Sequence, residues 1–573
     1  MRYKVLFVIW ALLSNYPIQA ADYLFKNGKS DYTIVLSPEV SESEKTAAKE
    51  LQKYLKEISG AILNVIQGGT TSEKTIYIGY NPEVPAFQGE DRYEDEDEGF
   101  SYKRVGHDLI IHGGRHRGTM YGVFSFLENE LGVRWYTPTV TVIPKRKRYK
   151  ISSLDHRERP AINVRFTDYY ATTVGGTKVE WSAHNKENMK FVGQKNAYGD
   201  LYGFNRSHTM GIFVPTKKYF EKHPEYFALK GGKRIPNGQL CLTNPEVLNI
   251  CIQEIKNDIR TRPTALFHSL SQNDNYGYCE CEHCKATEER YGGHSGLIIW
   301  FVNRVADAIK TEYPNAILNT FAYQYSVKPP TGIKPRDNVA VILATTGCCL
   351  AHPFIERCKD HPYDNDAFMD NLEGWSKICD KLFIWEYVVN VKHPFSPFIN
   401  TPAFGANVQT FSEKHVWGMF AEARLSAAGG SFAELKNWVF LKLMWNPLLN
   451  TDSLVKDFIY GYYGKSAPYI WKYYNLCKSL INKNTHFFIR QECSDTMFTD
   501  NFINKASFLM SKALAAAEGK EILPRVEEWS LEVLYLKNLR ECERSKADGS
   551  RQMFYEFIQK HDVGISPEFR FEE

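Results

Sequence analysis

The sequence predicts an α/β protein, a (β/α)8 TIM barrel preceded by a small α/β domain and followed by a helical C-terminal region. Three observations predict it. Between about residues 160 and 445, eight short apolar runs interleave with helical patterns. Ahead of them lies a shorter β-α-β-β-α-β pattern, and behind them only helical periodicity. At 573 residues the chain is also too long for one simple core. The expected divisions are 1–20, a signal segment; 21–150, the small α/β domain; 151–445, the barrel; and 446–573, the helical region.

In residues 1–20, Arg2 and Lys4 precede an apolar core, Val5 to Leu13, too short to span a bilayer. This is the pattern of a secretory signal, with cleavage after Ala20 or Ala21. It predicts an exported protein, periplasmic or secreted. No later segment has the apolar length of a transmembrane helix. The net charge of +3 is too nearly balanced for a nucleic-acid binder. The acidic run Glu90 to Glu98 reads as a solvated loop. Aromatic residues make up 14% of the chain, which suits a carbohydrate site and a large core equally.

In the small domain, Tyr32 to Leu36 is a strand and Ser41 to Ser59 an amphipathic helix, with Ala47, Leu51, Tyr54, Leu55 and Ile58 on one face. Strands follow at Lys74 to Gly79 and Leu109 to His112, then a helix from Gly118 to Leu131. The barrel strands are expected at Ile162–Thr167, near Tyr198–Phe204, and at Gln239–Leu242, Ala265–Leu270, Ala316–Tyr323, Val339–Ala344, Leu382–Tyr387 and Val416–Ala421. The C-terminal helices are expected at 454–463, 467–482, 500–518 and 523–545.

A barrel of this kind draws its chemistry from the C-terminal ends of its strands. The tips offer Arg165 and Asp168; Asn205, Arg206 and His208; Gln272, Asn273, Asp274 and Asn275; Tyr323, Gln324 and Tyr325; Trp385, Glu386 and Tyr387; and Glu422 with Arg424. Three carboxylates, Asp274, Glu386 and Glu422, each follow an apolar run, where a charge is costly unless it faces a polar cavity. Two carboxyl groups flanking a glycosidic bond are the usual requirement for its hydrolysis. These three are the expected catalytic residues. Arg165, His208, Asn273, Asn275, Tyr323, Trp385 and Tyr387 are the expected substrate-binding residues. Ion pairs with Arg165, Arg206 or Arg424, and an Asx-rich turn at 272–275, are the alternative readings.

Cys279, Cys281 and Cys284 stand in a C-x-C-x-x-C spacing. Three thiolates there suit a structural Zn2+, with His283, His294, Cys348 or Cys349 as fourth ligand. Disulfides or free buried thiols are the alternatives. No cofactor is expected for catalysis.

Two resemblances add to this reading. The segments Glu44 to Leu55, Ile76-Tyr-Ile-Gly79 and Gly118 to Tyr136 resemble the N-terminal domain that precedes the barrel in β-hexosaminidases and α-glucuronidases. The segments His223-Pro-Glu-Tyr-Phe227, Gln239 to Pro245, Ser271-Gln-Asn-Asp-Asn275 with its cysteines, Phe301-Val-Asn303, Phe321-Ala-Tyr323 and Ile384-Trp-Glu-Tyr387 are similar to the DUF4838 family. That family overlaps glycoside hydrolase family 163, endo-β-N-acetylglucosaminidases that act on complex N-glycans. The resemblance implies retaining hydrolysis in which the substrate's 2-acetamido group is the nucleophile. One carboxylate would orient that group and a second would be acid and base. Two positions depart from the pattern. Trp385-Glu386-Tyr387 stands where Trp-Asp-Tyr is expected, and Phe420-Ala421-Glu422 where Phe-Glu-Gln is expected. The expected substrate is a β-linked N-acetylglucosamine glycoside in an oligosaccharide or glycoprotein glycan. A uronic-acid glycosidase using Arg165 or Arg206, and a non-catalytic glycan-binding protein, are the other readings.

Overall fold

The N-terminal sheet is built around central strands, Tyr32–Leu36, Lys74–Ile78 and Asp108–Gly113, whose residues are buried on both faces, as continuous apolar runs dictate. A computed structural model describes residues 22–69, 74–173, 178–204, 207–358, 365–423, 429–494 and 496–563. The signal segment, Asn205, Arg206 and Arg424 lie outside the described residues. The six strands run in the order Asp155–Glu158, Phe100–Val105, Asp108–Gly113, Lys74–Ile78, Tyr32–Leu36 and Val65–Gln67. The helix Glu42–Ser59 packs beside them. It starts at a capping box, in which the Ser41 hydroxyl accepts from the Glu44 amide and the Glu44 carboxylate accepts from the Ser41 amide. It stops at Gly60, whose φ of 83° a side chain would strain. The second helix, Gly118–Asn129, is buried over almost its whole length.

The second sheet is parallel and curled into a half-barrel. Its order is Val164–Thr167, Gly418–Glu422, Leu382–Tyr387, Val339–Ala344, Ile317–Ala322 and Phe267–Ser269. Two short parallel strands, Met189–Lys190 and Tyr202–Gly203, lie between its edges. The Asn188 amide donates to the Arg165 carbonyl (3.3 Å), and the Leu266 amide to the Gly203 carbonyl (2.9 Å). Of the expected strands, Gln239–Leu242 does not join this sheet. Leu240 instead makes an antiparallel bridge to Phe227. The expected run at Tyr198–Phe204 narrows to two residues, and Met189–Lys190 is an addition. Strands this short leave no apolar alternation to read.

Side chains alternate across a strand, so parity decides which face each residue takes. Val164, Phe166, Phe267, Phe321, Ile342, Phe383 and Phe420 point inward to one cluster. Phe166 and Phe420 stack there at 4.5 Å. Burying each such ring stabilises the fold by roughly 2 kcal/mol. At Gly418 an added Cβ would meet the Phe383 ring at 2.4 Å, so this strand begins on the one residue that admits the ring. Residues of the other parity, Leu382 and Ile384 among them, face the surrounding helices.

The C-terminal helices Thr451–Tyr462, Ala467–Lys478, Asp500–Ala516, Gly519–Arg540, Cys542–Ala547 and Ser550–Lys560 pack on one another, in chain order for the first four. Glu532, from the fourth, accepts from the Phe432 amide at 2.7 Å and so ties these helices to the segment after the last sheet strand. No helix among the described residues is long and apolar enough to cross a membrane.

Candidate active site

The inward parity that builds the aromatic cluster continues past its edge into polar residues. Asp168 follows Phe166, Glu422 follows Phe420, Tyr323 follows Phe321, and Trp385 and Tyr387 follow Phe383. All five therefore stand at the C-terminal mouth of the sheet. Glu422 Oε2 accepts from the Trp385 indole N–H at 2.5 Å. Burial pushes the Glu422 carboxyl up to about 7, against the pull of that hydrogen bond. The Asp168 carboxylate accepts from the Ala423 amide. Burial, with the nearby Glu422 charge, pushes Asp168 up to about 8 although that amide pulls the other way. Two carboxyl groups that both hold protons near neutrality thus stand side by side.

Asp274 reaches the mouth from a loop. Its Oδ1 accepts from the Tyr323 hydroxyl at 3.1 Å and from Gln324 Nε2 at 3.0 Å. Burial, then the Asp274 charge, lifts the Tyr323 phenol to about 12. Tyr387 lies between the two acidic positions. Burial raises its phenol first, and the charges of Glu422, Tyr323 and Asp274 add to it while Arg490 opposes. His208 packs by its ring on Phe321 and Tyr323. Its Nδ1–H donates to the Gln272 carbonyl at 2.7 Å. A cleft of about 900 Å³ opens beside these groups. Tyr276, Tyr323, Gln324, Gly347, Phe488 and Arg490 line it.

Several expected site residues are placed elsewhere. Glu386 has the parity of Ile384, not of Trp385. It is 1% exposed and points into the core toward helix Thr401–Glu413, where Asn407 Nδ2 donates to it at 3.1 Å. Burial lifts its carboxyl to about 8. Arg165 also has outward parity and is fully buried. Its guanidinium donates to the carbonyls of Lys186, Ile162 and Asn163 and pairs with Glu98 at 2.5 Å. Asn273 and Asn275 spend their side chains on the loop itself. Asn273 accepts from the Gly211 amide and donates to the Gly238 carbonyl, both at 2.9 Å, while Asn275 accepts from the Gly277 amide. They hold Asp274 in place and do not face the cleft with it.

Gln239, unweighed in the sequence, completes that clamp. Its Oε1 accepts from the Asn273 amide, and its Nε2 donates to the carbonyls of Asn273 and Asn275 at 2.8 Å. Asp168 appears above only as a strand-tip residue. Its two-residue step from Phe166 is the signal that marks it as inward. Arg490 and the rest of the 486–494 wall left no local signal.

Glu386 supports a prediction. Its proton affinity is raised from 4.5 to about 8, so its burial destabilises the fold increasingly as pH rises between those values. Glu386→Gln removes that dependence. Relative to the native protein it gains on the order of a few kcal/mol by pH 8 and little at pH 4.5. Denaturant midpoints measured across this range check it, and turnover stays unchanged.

The thiols of Cys279, Cys281 and Cys284 meet a fourth, Cys241, with all four sulfurs within 4.8 Å of one another. Cys241 Sγ lies 3.7 Å from Cys281 Sγ and 3.9 Å from Cys284 Sγ. Tetrahedral Zn–S bonds of about 2.3 Å would separate sulfurs by about 3.8 Å. The expected fourth ligands His283, His294, Cys348 and Cys349 are not in this group.

The molecule is thus an α/β protein with carboxyl groups at the C-terminal mouth of a curled parallel sheet and a cleft beside them. The chain belongs to the family described as Domain of unknown function (DUF4838), whose profile matches residues 135–475. The profile described as Glycosyl hydrolase family 67 N-terminus matches residues 17–126. No curated protein matches the chain. Among solved structures, it is similar to BtGH115A, described as a family GH115 4-O-methyl-α-glucuronidase with specificity for decorated arabinogalactans. The identity is 12%, the TM-score 0.59, and the match covers 94% of this chain and 77% of that one. A β-N-acetylhexosaminidase from Bacteroides fragilis NCTC 9343 matches at 11% identity and a TM-score of 0.43, over 75% of this chain and 90% of that one. The likeness to BtGH115A is one of fold.

Proposed function

We propose that this protein is a retaining glycoside hydrolase that cleaves a β-linked N-acetylglucosamine glycoside, within complex N-glycans. The supporting observation is the convergence of Glu422 and Asp274 on one mouth lined by Trp385, Tyr387 and Tyr323. Glu422 holds a proton near neutrality and is the general acid for the leaving oxygen. Asp274 and Tyr323 offer an acceptor beside a donor, the complement of an acetamido N–H and C=O. The acetamido oxygen so held attacks the anomeric carbon as the C–O bond to the leaving group breaks, giving a cyclic oxazolinium. Water, deprotonated by Glu422, then adds at the anomeric carbon and reopens the ring with retention. The Glu422 charge in turn helps keep the neighbouring Asp168 protonated. His208, Trp385 and Tyr387 hold the sugar.

In this reading the two short strands complete a (β/α)8 barrel, residues 21–150 form an accessory domain and residues 446–573 a helical region. The signal segment directs export to the periplasm or medium. Cys241, Cys279, Cys281 and Cys284 hold a structural Zn2+, whose tetrahedral needs their spacing fits. A second reading, hydrolysis of a uronic-acid glycoside, is favoured by Arg490 on the cleft wall, a partner for a substrate carboxylate.

The test is a product assay on the mature protein with a complex N-glycoprotein, an aryl β-N-acetylglucosaminide and an aryl glucuronide, products read by mass. A released glycan lacking one core N-acetylglucosamine is expected. Asp274→Asn lowers its rate by about 10²-fold or more. Release of uronic acid alone would transfer the assignment to the second reading. Glycan binding without release from any substrate would make the protein a lectin.

A further inference from the structure

A second cluster of metal-ligating side chains lies outside the catalytic groups. Cys349, His352 and Cys358 stand in one loop, in a C-x-x-H-x5-C spacing, after strand Val339–Ala344. His486 comes from the distant segment between the C-terminal helices Ala467–Lys478 and Asp500–Ala516. One ligand atom from each residue lies within 4.8 Å of all the others. His352 Nδ1 is 3.4 Å from Cys349 Sγ and 3.3 Å from Cys358 Sγ. His486 Nδ1 is 3.3 Å from Cys349 Sγ. Zn–S bonds of about 2.3 Å and Zn–N bonds of about 2.0–2.1 Å at tetrahedral angles place sulfur and nitrogen about 3.5 Å apart. These three sulfur–nitrogen separations are thus within a few tenths of an ångström of those in a closed S2N2 site.

The imidazole of His352 is oriented for this. Its Nε2–H donates to the Asn482 carbonyl at 3.1 Å, so Nδ1 carries the lone pair and faces the sulfurs. A ligating histidine fixed through its other nitrogen by a carbonyl is the usual outer support of a zinc site. Cys349 and His352 are buried, and Cys349 and Cys358 are both free thiols.

From these distances we propose that Cys349, His352, Cys358 and His486 bind a structural Zn2+, distinct from that of the four-cysteine cluster. Its place gives it a task. Gly347 and Cys348, just before the loop ligands, line one side of the cleft, and Phe488 to Glu492, just after His486, line another. Between these stretches run the hydrogen bond from the Leu350 amide to the Phe487 carbonyl, at 2.8 Å, and the His352 contact. Four coordinate bonds would rivet two walls that are more than a hundred residues apart in sequence. With four protein ligands of this kind and no open position, the ion is structural rather than catalytic.

The test is metal content, measured by inductively coupled plasma mass spectrometry on the mature protein purified without chelator. The native protein is expected to carry two zinc ions per chain, one for each cluster. His486→Ala loses one and His486→Cys, which still supplies a ligand, keeps it. Cys241→Ser loses the other, so the two sites are counted separately. Replacement of zinc by Co2+ in Cys241→Ser leaves the visible spectrum of a mixed sulfur–nitrogen tetrahedral site. An unchanged count in soluble His486→Ala overturns the proposal. So does a native count of one ion that Cys241→Ser removes, or a Cys349–Cys358 disulfide in the unreduced protein. None of these readouts depends on glycosidase activity, so the metal site and the proposed reaction fail separately.

Discussion

Glu422→Gln lowers kcat by about 10²–10⁴-fold on the N-acetylglucosaminide substrate, the span that general acid catalysis contributes. The amide keeps the size of the side chain and an oxygen to accept from the Trp385 indole, so the aromatic cluster beneath is undisturbed. What it lacks is a proton to give. The native enzyme shows the complementary behaviour with pH. In the proposed reaction the acid form of Glu422 is the active one and burial lifts it to about 7, so kcat/KM is expected to fall as pH rises through that value. That limb is absent from the residual activity of Glu422→Gln. Rate measurements on both proteins between pH 5 and 9 check this. A variant with native turnover, or one that keeps the alkaline limb, would remove Glu422 from the acid role.

Arg165→Met destabilises the protein by about 3–5 kcal/mol and leaves kcat/KM within about twofold of native. Breaking a buried ion pair leaves an uncompensated charge, which sets that scale. Here Glu98 loses its Oε2 partner and keeps Arg117 and Asn188. The stack of the guanidinium on the Trp445 ring is lost as well. Glu98 is fully enclosed, yet Arg165 and Arg117 hold its carboxyl below the ordinary 4.5 despite the burial. A depressed carboxylate stabilises the fold above its unfolded value, and the contribution disappears as pH falls. The gap between native and variant midpoints in urea therefore narrows on acidification below about 4.5. A variant with native stability and impaired kcat/KM would return Arg165 to the substrate.

These two residues show what the sequence made legible and what it hid. Six strands were readable because each is an apolar run of useful length, such as Val339–Ala344. The curled parallel sheet and the tips at Asp274 and Glu422 followed, although eight strands were expected in that sheet and six form it. The face taken by a tip residue was harder. Trp385-Glu386-Tyr387 places three polar or amphipathic residues in succession, and only alignment with Phe383 on the inward cluster separates Glu386 from its neighbours. Arg165 was drawn to the site by position, because nothing in its own neighbourhood names Glu98, a partner 67 residues earlier. The same limit applies to Cys241 and His486. Ligand spacing is a local signal, and each of these side chains joins its cluster from a distant segment.

The ion pairs between the N-terminal α/β segment and the rest of the chain also bear on how the chain divides. Glu98 meets Arg165, and Glu128 meets Lys442 at 2.6 Å, both in places closed to water. Arg134 reaches Asp457 in the C-terminal helices. Charges buried in this way have no solvated fallback, so each half of the molecule supplies counterions to the other, with Arg117 of its own half as a second partner for Glu98. A boundary drawn by homology near residue 135 would sever these pairs and strand a positive charge beneath the sheet that carries the cleft. The leading segment is better regarded as a keystone than as an appendage.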